Sequence, residues 1–116
     1  MSLLPYFPLA SGLLTGKYRH GASIPAGTRY ARATRFSDRY MTEENWRIVE
    51  ELNAFCAARD RTLLELAFSW LLSHKCLASV IAGATRPEQV EQNVKAAGWE
   101  LTAQEIAEVD RLSAKA

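Results

Sequence analysis

Ser79 to Asn93, "SVIAGATRPEQVEQN", decides how the rest of the chain is read. Val80 and Ile81 sit near the centre of an uninterrupted apolar run, "LASVIAGA" (77–84), the pattern of a parallel strand covered on both faces. Gly83 then opens a Gly-Ala-Thr turn. "TRPE", Thr85 to Glu88, has the spacing of a capping box, and Val90, Val94 and Ala97 give the helix an apolar stripe that Gly98 ends. A strand running into a capped helix places backbone N–H groups and the positive helix end at the carboxyl edge of a sheet, where phosphate is readily bound. Arg86 adds a positive charge there. Gln89, Gln92 and Asn93 fall at i, i+3 and i+4, so three amides able to hydrogen-bond an adenosine share one side of the helix. On spacing alone, a well-capped surface helix with a wet polar face accounts for the same residues.

Upstream, "LLPYFPLA" (3–10) is an apolar run broken by Pro5 and Pro8, which suits a short strand leaving a sheet. From Ser11 to Met41 come Gly12, Gly16, Gly21, Gly27, Pro25 and many arginines, the composition of a long loop. Thr42 then caps a helix with Glu43 and Glu44 in its first turn and Val49, Leu52, Phe55 and Cys56 on one face, ending near Arg59. "TLLE", Thr62 to Glu65, is a capping box before a helix with a broad apolar surface of Leu63, Leu66, Ala67, Trp70 and Leu71. "TAQE", Thr102 to Glu105, starts a last helix carrying Ile106, Val109 and Leu112. The expected order is strand, long loop, helix, helix, strand, helix, helix: an α/β class with about two parallel strands and four helices. Two parallel strands cannot bury both their faces and both their edges, so more strands must come from elsewhere or the helices must pack in another way.

At 116 residues, 48% of them hydrophobic and 23% charged, the chain is within the range of one globular domain. Lys and Arg (14) nearly cancel Asp and Glu (13), which argues against nucleic acid and anionic membrane as partners. No apolar run approaches a membrane span and the N-terminus lacks a signal-peptide pattern, so the expected location is cytoplasmic. Cys56 and Cys76 have neither CxxC spacing nor a histidine cluster beside them and read as buried free thiols, with no metal implied. Tyr18, Tyr30 and Tyr40 read as loop packing, His20 and His74 as surface residues, and Trp46, Trp70 and Trp99 as core or rim packing.

"YFPLASGLLTGKY", Tyr6 to Tyr18, together with Val80 to Asn93, resembles the two late signatures of the aldo-keto reductases, including the branch that contains the potassium-channel β-subunits. "ELAFSWLLSH" and "LTAQEIAEVDRL" also stand where that family has its penultimate and final helices, so the likeness covers all but about residues 19–41. The resemblance implies the C-terminal portion of a (β/α)8 TIM barrel, strand 7 to the final helix, with NADP(H) lying across the C-terminal mouth. By the same resemblance Tyr6 matches the aromatic residue stacked on the nicotinamide. Phe7, Pro8, Leu9, Ala10 and Ser11 match the segment running towards the pyrophosphate, with Phe7 standing where most relatives have serine. Lys17 matches a lysine near the phosphates and Arg29 another basic loop residue. Gly83, Thr85, Arg86, Gln89, Gln92 and Asn93 match positions around the adenosine and its 2′-phosphate.

Hydride transfer to a carbonyl also needs a proton donor at the developing alkoxide. The tyrosine, lysine, aspartate and histidine of that family belong to its earlier strands, and no stretch here matches them. A whole barrel takes about 250 residues, so this chain alone is expected to be inactive and to need either the N-terminal barrel portion or self-association. The competing reading is a non-catalytic helical interaction or nucleotide-binding module.

Overall fold

The computed structural model describes every residue except Phe7, Ala33 and Ala116, and leaves aside the side chains of Arg29, Thr34, Phe36 and Ser37. A 3-10 segment, Ala10–Thr15, is followed by helices α1 (Arg29–Arg32), α2 (Thr34–Tyr40), α3 (Glu43–Ala57), α4 (Leu63–Leu72), α5 (Pro87–Ala96) and α6 (Ala103–Ser113). The last four are the four helices expected.

Their ends follow the sequence chemistry. The Asn45 N–H donates to Thr42 Oγ1 at 3.2 Å at the start of α3. At α4 and α6 the boxes close reciprocally: Glu65 N–H donates to Thr62 Oγ1 while Glu65 accepts from Thr62 N–H, and Thr102 and Glu105 repeat the arrangement. The expected box at Thr85 does not form. Pro87 takes the first helical position, which moves the N-cap to Arg86, without a side-chain cap bond. Gln89 replaces the missing glutamate partner one position later, its Oε1 accepting from the Thr85 N–H (2.8 Å) and hydroxyl (3.2 Å).

Neither expected strand is present among the described residues. What remains of the pairing is one parallel bridge between Leu3 and Leu77, with Leu3 N–H donating to Cys76 O (2.7 Å) and Ala78 N–H to Leu3 O (3.0 Å). That is the alternation of a parallel ladder, one rung long. Residues 79–84 have no assigned secondary structure, and Ile81 is 54% exposed, where full burial was expected. A parallel strand is held by neighbours on both edges and helices on both faces; here one neighbour touches it at one residue.

The expected loop over 11–41 also needs correction. Ala10–Thr15 makes 3-10-type turns across a kink at Ser11 and Gly12, whose backbone is not helical, and Thr28 supplies a local cap, its hydroxyl accepting from Ala31 N–H at 3.4 Å as α1 begins.

The core is formed where α3 and α4 meet, with α6 and Trp99 closing one side and Leu13, Tyr18 and Tyr30 the other. The α3 face is as patterned: Trp46, Val49, Leu52, Phe55 and Cys56 are buried. On α4, Leu63 and Leu66 are buried together with Phe68 and Ser69, while Ala67, Trp70 and Leu71 are only partly covered. Helix α5 reverses its expected orientation. Ala96 is buried, with its carbonyl accepting from Ser69 Oγ at 3.3 Å, whereas Val90 and Val94 are exposed. Cys76 is also exposed; only Cys56 is the buried thiol expected of both.

Candidate functional site

Two groups of residues carry the expected site, and helix α4 packs against the elements bearing both. The first begins at Tyr6, which is exposed, and continues through Pro8, Leu9 and Ala10, which are half-buried, to Ser11, which is buried. Phe7 lies outside the described residues. The backbone here is unusual: Ala10 has φ 48° and Ser11 φ 58°, both in the left-handed region, followed by Gly12 at φ 112°. L-residues enter that region at a cost, and clusters of such conformations mark functional turns more often than ordinary connections. Gly12 N–H and Leu14 N–H both donate to Leu9 O (2.9 and 3.1 Å), and Thr15 Oγ1 donates to Gly12 O at 2.6 Å. Lys17 follows, exposed, its Nζ 5.9 Å from the centre of the Tyr18 ring. Arg29 opens α1, its side chain lying outside the description.

The second group surrounds the start of α5. An open concavity of about 580 Å³ is lined by Ala84, Thr85, Arg86, Pro87, Val90 and Glu91. Arg86 is exposed and enters no ion pair among the described residues, in contrast to Arg47, Arg59, Arg61 and Arg111, each held by a glutamate. Gly83 precedes the concavity with open space where a Cβ would stand. Gln89 is occupied by Thr85. Gln92 and Asn93 lie outside the lining of the concavity, whose far wall is Val90 and Glu91. Glu91 disfavours an anion at that wall, so the anion-binding character is confined to the Thr85–Arg86 end.

Tyr18, Tyr30 and Tyr40 pack together as expected of loop-packing residues, but the bond that Tyr30 makes was not foreseen. Tyr30 is 1% exposed and its hydroxyl donates to Ala10 O at 2.5 Å, tying the middle of the supposed loop to the left-handed turn. Tyr18 lies against it, ring centres 4.6 Å apart, and Tyr40 is beyond at 6.5 Å. Three tyrosines in a Gly- and Arg-rich stretch were the available signal, since a solvated loop has little use for buried aromatic rings. Among the described residues no group of three His, Cys, Asp or Glu side chains could hold a metal ion, and no helix is long and apolar enough to cross a membrane.

A backbone turn in the left-handed region and a helix start whose arginine enters no ion pair among the described residues both belong to elements that pack on α4. The chain belongs to the aldo/keto reductase family, whose pattern it matches over residues 1–114. It is 35% identical over 113 residues to an L-glyceraldehyde 3-phosphate reductase of Escherichia coli O157:H7, covering 93% of this chain and 32% of that protein. It is 39% identical over 98 residues to a probable voltage-gated potassium channel subunit beta of Arabidopsis thaliana, covering 83% of this chain and 30% of that one. Among solved structures it resembles a glycerol dehydrogenase from Gluconobacter oxydans, with a TM-score of 0.72 and 28% identity over 96% of this chain and 33% of that one. The chain thus spans about a third of the relatives it matches, and its fold is that of a piece of the family's barrel.

Proposed function

We propose that this chain is the C-terminal, cofactor-holding part of an NADP(H)-dependent aldo-keto reductase barrel, acting in the reduction of aldehydes or ketones by hydride transfer. The proton donor and the residues that tune it are supplied by sequence outside this chain. The observation that carries the reading is Arg86: an exposed guanidinium without a carboxylate partner, at the lip of a concavity that begins with Thr85. A guanidinium in that position forms a charge-assisted contact with the 2′-phosphate of NADPH, which NADH lacks. Bound cofactor supplies the hydride. The Pro8–Ser11 backbone and Lys17 line the diphosphate, Tyr6 stacks on the nicotinamide, and Gln92 and Asn93 face the adenosine. The partner is the remainder of the barrel, against which Leu3, Leu4, Ile81, Val90 and Val94, all more than half exposed, become covered. Without it the same surface drives self-association.

The test is a chimaera in which this chain replaces the C-terminal third of the E. coli L-glyceraldehyde 3-phosphate reductase. Arg86→Ala is expected to weaken NADPH by about 1.5–3 kcal/mol, read by fluorescence titration, and to leave NADH nearly unchanged. Equal weakening of both cofactors removes Arg86 from the 2′-phosphate, and a folded chimaera that binds neither refutes the reading. The 116-residue chain alone should show no NADPH-dependent carbonyl reduction.

A further inference from the structure

The geometry points to Tyr30 as a positioning residue for the cofactor-binding turn, its hydroxyl holding Ala10 and Ser11 in the left-handed conformation that the cofactor meets ready-made. This rests on reading Pro8–Ser11 as a cofactor segment. Ala10 and Ser11 are adjacent L-residues at φ 48° and 58°, and such a pair persists only where its surroundings over-determine it. The bonds from Gly12 N–H and Leu14 N–H to Leu9 O, and from Thr15 Oγ1 to Gly12 O, are local to the turn and move with it. Tyr30 reaches the turn from twenty residues away and is itself immobilised, 1% exposed and packed against Tyr18 and Tyr40.

The bond falls on the peptide that joins the two strained residues. Because a trans peptide directs its C=O and N–H to opposite sides, fixing Ala10 O towards Tyr30 aims the Ser11 N–H away from the tyrosines. Tyr18 adds a steric wall: a Cβ at Gly12 would stand 3.4 Å from its ring. Two buried hydroxyls beside this turn, Ser11 Oγ and Tyr18 OH, have no hydrogen-bond partner among the described residues. Unsatisfied polar groups are costly in a site that serves only packing.

The test uses the 116-residue chain and three variants: Tyr30→Phe, which keeps the ring, Tyr30→Phe with Ala10→Gly, and Ala10→Val. Amide hydrogen exchange is read at Gly12 and Leu14, and NADPH affinity by fluorescence titration. Tyr30→Phe should speed exchange at both amides and weaken NADPH, each about fivefold, the worth of one hydrogen bond. Ala10→Gly in the same chain should restore both, because glycine takes φ 48° without strain and no longer needs the bond. A tyrosine that only fills the core gives faster exchange throughout α3 and α4 and no rescue by glycine. Ala10→Val, with Tyr30 intact, should loosen the same amides, and does so even if Tyr30→Phe fails to fold. Unchanged exchange in Tyr30→Phe, absence of rescue, or a tight turn in Ala10→Val overturns the inference. Unaltered NADPH affinity in Tyr30→Phe defeats this inference alone, whereas absence of NADPH binding by the unsubstituted chain and by the chimaera defeats the cofactor reading beneath it.

Discussion

Arg59→Ala should destabilise the chain more than any other surface truncation, because Arg59 ends a stack that ties two helix starts together. Its guanidinium lies 3.7 Å from the centre of the Phe55 ring; Phe55 stacks on Trp99 at 6.2 Å; Arg61 covers Trp99 at 5.2 Å. At each end the arginine binds a capping-box glutamate, Arg59 to Glu105 (3.2 Å) and Arg61 to Glu65 (3.3 Å). The Arg59 guanidinium also donates to Phe55 O at 3.1 Å. Truncation removes a partly exposed cation–π contact, about 0.5–1 kcal/mol, and a partly exposed ion pair, about 0.2–1 kcal/mol. The sum, about 0.7–2 kcal/mol, is a substantial share of a small domain's stability of about 5–15 kcal/mol. Glu105→Gln isolates one component, since glutamine still closes the box while the charge is lost. In urea unfolding followed by circular dichroism, Glu105→Gln should cost less than half of Arg59→Ala, and the double variant should fall short of their sum. Equal costs for the two single variants, or strict additivity, would show that the stack contributes nothing beyond the ion pair.

The same glutamates set an acid limit. The Thr102 N–H, opposed by burial and aided by Arg59, lowers the Glu105 carboxyl; at Glu65 burial pushes upward but is outweighed by the Thr62 N–H, its hydroxyl and Arg61. Both are lower folded than unfolded, so their stabilisation is complete above the ordinary value of 4.5 and lost as pH falls through the folded values. The urea midpoint should drop as pH falls below about 4.5, and less in Glu105→Gln. At the alkaline end, burial, then Glu65, against the opposing pull of Arg59, raises the Cys56 thiol to about 11. The unfolded thiol ionises first, so stability should decline as pH rises past 9.0 towards about 11, and Cys56→Ala should remove that component. Near pH 8, a thiol-specific disulfide reagent should modify exposed Cys76 rapidly and Cys56 only on unfolding.

What could be read from the sequence was whatever is local. Thr42, Thr62 and Thr102 each start a helix because a hydroxyl and the backbone N–H that donates to it lie three residues apart, and the 3.6-residue period of α3 is satisfied by packing inside this chain. At Thr85 the same rule misleads by one residue, because Pro87 claims the first helical position and Gln89 serves as the acceptor. The three tyrosines announced packing in the loop, but the Tyr30 bond itself could not be read, since it depends on two residues twenty positions apart being brought together by the fold. Of the expected site residues, those of the left-handed turn and Thr85, Arg86 and Gln89 have a defined local geometry; Gln92, exposed, and Asn93, half-buried, lie outside the concavity's lining.

The strands failed for a different reason. An apolar pattern in a sequence records the surroundings in which those residues are to be buried, and it does not say whether that cover lies within the same chain. For α3 it does: Trp46, Val49, Leu52 and Phe55 meet α4, α6 and Trp99. For Ile81, and for Val90 and Val94 on α5, it does not: they stand 54%, 52% and 71% exposed, while Val80 is half-buried. Helices make their hydrogen bonds internally and survive as helices without neighbours on the apolar face, as α5 does. A strand makes its bonds only to another strand, so the same loss of neighbours leaves 79–84 without a ladder and reduces the expected parallel pair to the Leu3–Leu77 bridge. That bridge still carries a direction: it joins the two segments expected to be strands, 3–10 and 77–84, in the parallel sense, so one pair of backbone bonds forms where a full ladder lacks its neighbours.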